Sequence, residues 1–202
     1  MTTALQNVFH AFCIDWLEYC GVATTLLGIW LTTRRRLSCW PVVLLADAIY
    51  RVVFYRARLY SDTLLQIFFL VFTLYGWWYW WRGARADGEV RIVKQSPRSL
   101  IIGIASGAVG SLLWGFGMEH VHAALPFLDA ALMIYSLVAS WWGTRKYISN
   151  WWLWIVVDLV YVGEYLYKGL LPTAALYLAL VGLAMLGVRD WRRAARSTPQ
   201  SV

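Results

Sequence analysis

Charged and redox-active side chains are scarce in this chain. Of its 202 residues only 14% are charged, and three are cysteine. A soluble domain of this size carries about a quarter of its residues as charged ones, so this composition excludes an ordinary soluble protein. The cysteines, Cys13, Cys20 and Cys39, lack the spacing of metal ligands, and we expect them to serve as packing residues.

Motifs of the common catalytic classes are also missing. The chain contains no Walker loop, no nucleophile elbow and no metalloprotease motif, so nothing in it indicates ATP hydrolysis or a hydrolase mechanism. Of the three histidines, only His120 and His122 are neighbours, which is too little for a metal site. We expect no enzymatic activity, no metal and no cofactor. The first dozen residues contain no Lys or Arg, so no cleavable signal peptide is expected either.

Apolar and aromatic residues are abundant instead. They make up 60% of the chain, which holds 14 tryptophans, and they fall into runs long enough to cross a bilayer as helices. The pattern predicts an all-α integral membrane protein, a single membrane domain over 1–202 that is embedded in a lipid bilayer. The predicted spans are 13–32, 39–56, 61–81, 98–118, 124–143, 150–168 and 171–189. Prolines at or just before four of the starts fit the first helical turn, namely Pro41, Pro97, Pro126 and Pro172.

The formal net charge of +7 could suggest nucleic acid, but the distribution of the basic residues argues against that partner. Most Lys and Arg residues fall on one side of the predicted membrane, after spans one, three, five and seven. By the positive-inside rule the N-terminus lies outside and the C-terminus lies in the cytoplasm. The residues on the basic side are Arg34, Arg35, Arg36, Arg82, Arg85, Arg91, Lys94, Arg98, Arg145, Lys146, Arg189, Arg192, Arg193 and Arg196.

An offset of 111 residues, which we call the repeat offset and which separates Trp40 from Trp151, aligns the second half of the chain with the first without a gap. The pairs that it matches include Trp30 with Trp141, Thr33 with Thr144, Trp40 with Trp151, Asp47 with Asp158, Gly76 with Gly187 and Trp80 with Trp191. Matched Asp, Gly and Trp positions are harder to attribute to chance than matched leucines. We predict a first three-helix repeat at 13–81, a linker helix at 98–118 and a second repeat at 124–189. A single linker helix makes the repeats parallel, which gives the 3+1+3, SWEET-like arrangement of a carrier.

The sixth span carries a polar and aromatic stripe. At 100° per residue, one wedge of about 100° holds Asn150, Trp151, Trp154, Asp158, Tyr161 and Tyr165. A carboxylate inside the membrane costs about 2.5 to 3.5 kcal/mol, so Asp158 must face protein or water. It either ties the sixth helix to the second, where Asp47 is its counterpart, or binds a small aromatic ligand with a polar or cationic group. Glu164 lies off this stripe, and we expect it in a surface or rim ion pair with Lys168.

The third span also has a marked face. Gln66, Phe69, Thr73, Gly76 and Trp80 share it, and Trp77 lies close beside it. Gln66, whose counterpart is Tyr177, either binds the ligand or forms a hydrogen bond that holds two helices together. Trp78, Trp80 and Trp81 are expected to be anchors in the cytoplasmic aromatic belt. The candidate substrate-binding residues of the chain are Gln66, Trp77, Asn150, Trp151, Trp154, Asp158, Tyr161 and Tyr177.

Several of these segments resemble one known family. The stretches "LYSDTLLQ", "YGWW", "NWWLW" and "YKGLLPTAALY" are similar to those of the PnuC family of bacterial vitamin transporters, and the resemblance covers nearly the whole chain. It implies a seven-helix, multi-pass homotrimer in the bacterial inner membrane. Its expected activity is facilitated diffusion of an unphosphorylated vitamin precursor, which a separate cytoplasmic kinase then traps. Asn150, Trp154 and Gln66 match the family's substrate-site positions.

The resemblance leaves several vitamins open. Nicotinamide riboside ranks first and thiamine second, since each carries a ring cation that a carboxylate and aromatic faces would attract. Riboflavin and deoxynucleosides are neutral and rank last. The alternatives of another class are a seven-helix receptor or scaffold and an intramembrane enzyme. The seventh span has no mid-helix Lys for retinal, and the chain shows no paired nucleophile and base.

Overall fold

The computed structural model describes residues 2–56, 60–87, 90–119, 125–167 and 171–197. Within these ranges the side chains at 2–15, 54, 56, 60–65, 86, 87, 172 and 197 are not described. Seven α-helices cover most of the described residues: α1 Thr2–Thr33, α2 Cys39–Arg56, α3 Tyr60–Asp87, α4 Pro97–Glu119, α5 Pro126–Thr144, α6 Ser149–Tyr167 and α7 Leu171–Ser197. No strand occurs in these ranges. Val93 and Tyr147 form an isolated bridge.

The helix bounds agree with the predicted spans at most ends. Pro97 and Pro126 are the first residues of α4 and α5, where their missing N–H groups cost nothing. Three ends run further than predicted, at the start of α1 and at the ends of α3 and α7. Apolar runs define only the part of a helix that lipid can cover, so polar turns such as Arg189–Arg196 escape that criterion. By length and composition, two described helical segments, Pro97–Glu119 and Thr173–Arg196, are apolar enough to cross a membrane.

The chain divides into two compact units, Met1–Trp77 and Trp78–Val202, and the boundary falls inside α3. In the first unit α1 packs on α2, and α2 meets α3 where the Trp40 ring lies against Gly76. In the second unit α4 packs on α5, α5 on α6 and α6 on α7. Glycines of α4 receive large side chains of α5, so these two helices approach closely. The pairs are Gly103 with Trp142, Gly107 with Tyr135, Gly110 with Ile134 and Gly115 with Phe127.

Tryptophan packs on glycine twice, at positions that the repeat offset matches. A Cβ atom at Gly76 would overlap the Trp40 indole, and one at Gly187 would overlap the Trp151 indole. Only glycine permits this approach of helix backbone and ring. The pair α2 and α3 and the pair α6 and α7 are therefore held by the same contact at matched positions.

The ends of α1 and α5 are also alike. Arg35 and Lys146 have φ angles of 56° and 63°, the left-handed conformation that terminates helices. The next backbone N–H in each case donates to a carbonyl five residues earlier, from Arg36 to Leu31 and from Tyr147 to Trp142. Thr33 and Thr144 each donate a hydroxyl hydrogen bond of 2.7 Å to the carbonyl three residues before. The repeat offset matches each of these residues at the end of α1 with its counterpart at the end of α5.

One predicted membrane anchor is a core residue. Trp78 and Trp81 are 49% and 44% exposed, as expected of anchors, but Trp80 is fully buried. Its indole N–H donates to the Thr144 carbonyl at 3.1 Å, and its ring lies 5.7 Å from that of Trp191. The anchor prediction for Trp80 is wrong because Trp80 follows Gly76 by one turn and shares the inward face of α3.

Candidate functional site

Asp158 is the buried carboxylate at the centre of the candidate site. It lies in the middle of α6 and is 3% exposed, whereas Val156 and Val160 on the opposite side of the helix are 58% and 38% exposed. The inward orientation that the stripe predicted is thus observed. Within the part of the chain that the structure describes, no hydrogen bond reaches its carboxyl group. Burying such a group without a partner is costly, so Asp158 is a candidate for binding something that the protein does not supply.

Three tyrosines form a stacked cluster next to Asp158. The Tyr177 ring of α7 lies 4.6 Å from the Tyr161 ring and 5.2 Å from the Tyr165 ring, and the two α6 rings are 6.0 Å apart. Tyr161 and Tyr165 follow Asp158 by one and two turns on the same face of α6. Together these residues offer a carboxylate, phenol hydroxyls and aromatic faces, a combination that suits a cationic aromatic ligand.

The structure brings together three of the predicted site residues, Asp158, Tyr161 and Tyr177. It adds Tyr165, which the sequence placed on the polar stripe but which we did not include among the candidates. The signal was available, because Tyr165 follows Tyr161 by four residues and so lies on the same helical face. What the sequence could not give was the position of Tyr177, which lies against both rings.

Asn150 and Trp151 lie at the other end of α6. Asn150 is 3% exposed and its side-chain amide donates to the Tyr147 carbonyl in the turn before the helix. Trp151 packs on Gly187 and edge-on against Trp191, 5.4 Å between ring centroids, and its buried indole N–H has no hydrogen-bond partner among the described atoms. At a rise of about 1.5 Å per residue, Trp151 is about 10 Å from Asp158 along the helix axis. Trp154, half-buried, lies between these two groups.

Gln66 and Trp77 belong to the first unit. Gln66 is 9% exposed and lies on the inward face of α3, and Trp77 is half-buried. On the same face Thr73 donates a hydrogen bond of 2.8 Å to Asp47 of α2. This hydrogen bond explains how the buried Asp47 carboxylate is stabilised within its own unit. The ligand role of Gln66 and Trp77 stays a prediction.

Glu164 is not at the surface. It is only 8% exposed, so the expected surface position is wrong. Glu164 follows Val157 by two turns and shares its buried side of α6, which extends further around the helix than the polar stripe suggested. Its expected partner, Lys168, lies outside the described residues.

The charged and aromatic groups of the basic ends form local pairs. Guanidinium groups lie over indole rings within one helix, Arg82 over Trp78 at 5.5 Å and Arg85 over Trp81 at 4.6 Å. Arg192 of α7 lies 5.2 Å from the Trp152 ring of α6. Such pairs are expected where an aromatic belt meets a basic flank. Among the described residues, no group of three or more His, Cys, Asp or Glu side chains could hold a metal ion.

Comparison with known proteins gives a consistent picture. A family model described as nicotinamide mononucleotide transporter matches residues 15–193. The chain is 26% identical over 209 residues to the nicotinamide riboside transporter PnuC of Escherichia coli (strain K12), with 91% of this chain and 87% of that protein covered. It is 30% identical over 185 residues to the riboflavin/roseoflavin transporter RibM of Streptomyces davaonensis, with 88% and 85% covered.

A solved structure shares the fold. The crystal structure of the vitamin B3 transporter PnuC matches with a TM-score of 0.74 and 22% identity, covering 96% of this chain and 88% of that one. The seven-helix fold and the family resemblance that the sequence segments predicted are thereby confirmed.

Proposed function

Because the chain belongs to the nicotinamide mononucleotide transporter family, we propose that it is a multi-pass carrier of the bacterial inner membrane for an unphosphorylated vitamin precursor. Nicotinamide riboside is the proposed substrate, and it is the substrate named for the relative from Escherichia coli. Transport is by facilitated diffusion, and a separate cytoplasmic kinase phosphorylates the vitamin and so traps it. The carrier assembles as a homotrimer, as the sequence resemblance implies.

The observation that carries the choice of substrate is Asp158, which lies beside the tyrosine cluster, is 3% exposed and accepts no hydrogen bond from the described residues. A ring with a fixed positive charge would neutralise the carboxylate and lie against aromatic faces, each worth about 0.5 to 2 kcal/mol as a cation–π partner. The ribose hydroxyls of nicotinamide riboside would find acceptors and donors in the phenol groups of Tyr165 and Tyr177. A neutral vitamin would leave the carboxylate uncompensated.

The proposed architecture is two parallel three-helix repeats joined by α4, with the N-terminus outside and the C-terminus in the cytoplasm. The contacts that recur at the repeat offset support this arrangement, as do the exposed apolar side chains of α4, among them Ile101 and Leu113 at 66% and 70% exposure. In parallel-repeat carriers the substrate site lies near the bilayer midplane. Asp158, in the middle of α6, is at a suitable depth.

Two other vitamins remain as second candidates. The relative from Streptomyces davaonensis is a riboflavin/roseoflavin transporter at 30% identity, which favours riboflavin. Thiamine is the alternative that the ring cation favours. Charge separates these alternatives, because thiamine shares the ring cation of nicotinamide riboside and riboflavin does not.

Isothermal titration of the purified protein with nicotinamide riboside, thiamine and riboflavin tests the proposal. We expect saturable heat with nicotinamide riboside and a weaker response, or none, with riboflavin. Tight binding of thiamine without binding of nicotinamide riboside would overturn the substrate. Binding of riboflavin alone would overturn the argument from charge as well.

A further inference from the structure

The two buried aspartates occupy matched positions but have different surroundings. Asp47 accepts a hydrogen bond of 2.8 Å from Thr73, which is itself 5% exposed. The repeat offset matches Thr73 with Ala184 in the second unit, which is 2% exposed and carries only a methyl group. The exchange of Thr for Ala removes the one described hydroxyl that reaches the first aspartate.

The helix pair α2 and α3 and the helix pair α6 and α7 have the same register, so their matched positions can be compared. The indole of Trp40 packs on Gly76 in the first unit, and that of Trp151 packs on Gly187 in the second. Thr73 and Ala184 each precede these glycines by three residues, and Asp47 and Asp158 each follow the tryptophans by seven. Because matched contacts fix α3 against α2 and α7 against α6, Ala184 is expected to face Asp158 as Thr73 faces Asp47.

The groups around Asp158 do not replace the missing donor. Tyr161 and Tyr165 of the cluster follow Asp158 by one and two turns of α6, and within the described residues no tyrosine hydroxyl donates a hydrogen bond to its carboxyl group. A carboxylate that is only 3% exposed and accepts no hydrogen bond from the described residues is a costly arrangement for a purely structural residue. A ligand that supplies the missing partner of the carboxylate would offset this cost.

We propose that Ala184 is a specificity-determining residue, because its methyl group leaves the Asp158 carboxylate open to the positive charge of the ligand. Asp47, whose carboxylate is occupied by Thr73, instead ties α2 to α3. The matched aspartates of the two repeats thus have different roles, one in ligand binding and one in helix packing. This inference rests on the proposed function, since it assigns a role within the same site.

Threonine and valine at position 184 test this inference, because they have nearly the same shape and differ by one hydroxyl. In Ala184→Thr the hydroxyl donates to Asp158 as Thr73 does to Asp47, and we expect the affinity for nicotinamide riboside to fall about tenfold relative to Ala184→Val. Both variants bear the same added volume, so steric effects cancel in the comparison. Equal affinities of the two variants would overturn the role of Ala184.

A second variant keeps the test decisive if neither substitution at position 184 folds. Asp158→Asn preserves the shape of the side chain and removes its charge, and we expect it to lose affinity for nicotinamide riboside and thiamine by at least about tenfold. Thr73→Val is the matched control in the first repeat, and it should lower the melting temperature without changing the affinity. Unchanged affinity in Asp158→Asn would refute the inference.

The same titrations separate the inference from the proposed function. If the unsubstituted protein binds none of the three vitamins, the proposed function fails. If it binds nicotinamide riboside while Asp158→Asn and Ala184→Thr bind it equally well, only the inference fails.

Discussion

At the scale of single residues, position along α6 separates packing from binding. Trp151 is 3% exposed and is held between Gly187 and Trp191, whereas Trp154, one turn on, is half-buried and takes part in none of the ring pairs recorded for the described residues. An indole that faces inward without filling a helix contact is available to a ligand. The two tryptophans should therefore respond differently to the same substitution.

We expect Trp154→Ala to abolish binding of nicotinamide riboside while the protein keeps its fold. Trp151→Ala should instead destabilise the protein by about 3 to 5 kcal/mol, the usual cost of removing a buried aromatic side chain. Isothermal titration together with thermal unfolding in detergent distinguishes these outcomes. Unchanged affinity in the folded Trp154→Ala variant would remove Trp154 from the site.

The sequence predicts which side chains face inward better than it predicts which side chains they contact. The stripe of α6 and the face of α3 point inward as predicted, and Asp158, Gln66 and Thr73 are buried. The bond from Thr73 to Asp47 and the contact of Tyr177 with two rings of α6 join residues on different helices, and periodicity within one helix carries no information about them. Glu164 was misplaced for a similar reason, because the buried side of α6 is wider than its polar stripe.

At the scale of elements, small residues set how closely the helices approach. The contact of Trp151 with Gly187 fixes α6 against α7, and the glycines of α4 receive the side chains of α5. Close approach of this kind substitutes for the hydrophobic effect, which gives no driving force between helices in lipid. Seven apolar runs predicted the seven helices, but the polar turns that extend α3 and α7 have no apolar signal and were missed.

Two glycines in α7 give a matched test of this packing. We expect Gly187→Ala to destabilise the protein by about 1 to 3 kcal/mol, because its new methyl group would overlap the Trp151 ring. Gly182→Ala places the same methyl group where nothing lies within 4 Å, so it should be neutral or slightly stabilising through helix propensity. Thermal unfolding of both variants is the measurement, and equal melting temperatures would contradict the role given to the contact.

At the scale of the whole molecule, the distribution of basic side chains gives the proposed orientation in the membrane. The basic residues predict that the connection between α3 and α4 is cytoplasmic and that the one between α4 and α5 is outside. Lys94 in the first connection and Leu125 at the start of α5 are both exposed. A cysteine at either position can therefore be labelled from the side of the membrane on which it lies.

Cysteine labelling in cells tests this orientation. A membrane-impermeant maleimide should label Leu125→Cys in intact cells and Lys94→Cys only after permeabilisation. The unsubstituted protein, labelled in the same way, gives the background signal of the native cysteines. Labelling of Lys94→Cys in intact cells would reverse the proposed topology and, with it, the assignment of the C-terminus to the cytoplasm.

The proposed activity of the molecule is facilitated diffusion of nicotinamide riboside. Counterflow in proteoliposomes tests it most directly, with unlabelled vitamin inside, labelled nicotinamide riboside outside, and neither ATP nor an ion gradient present. We expect transient accumulation of the labelled vitamin, which is lost in Trp154→Ala. Absence of nicotinamide riboside counterflow in proteoliposomes that exchange riboflavin or thiamine would contradict it.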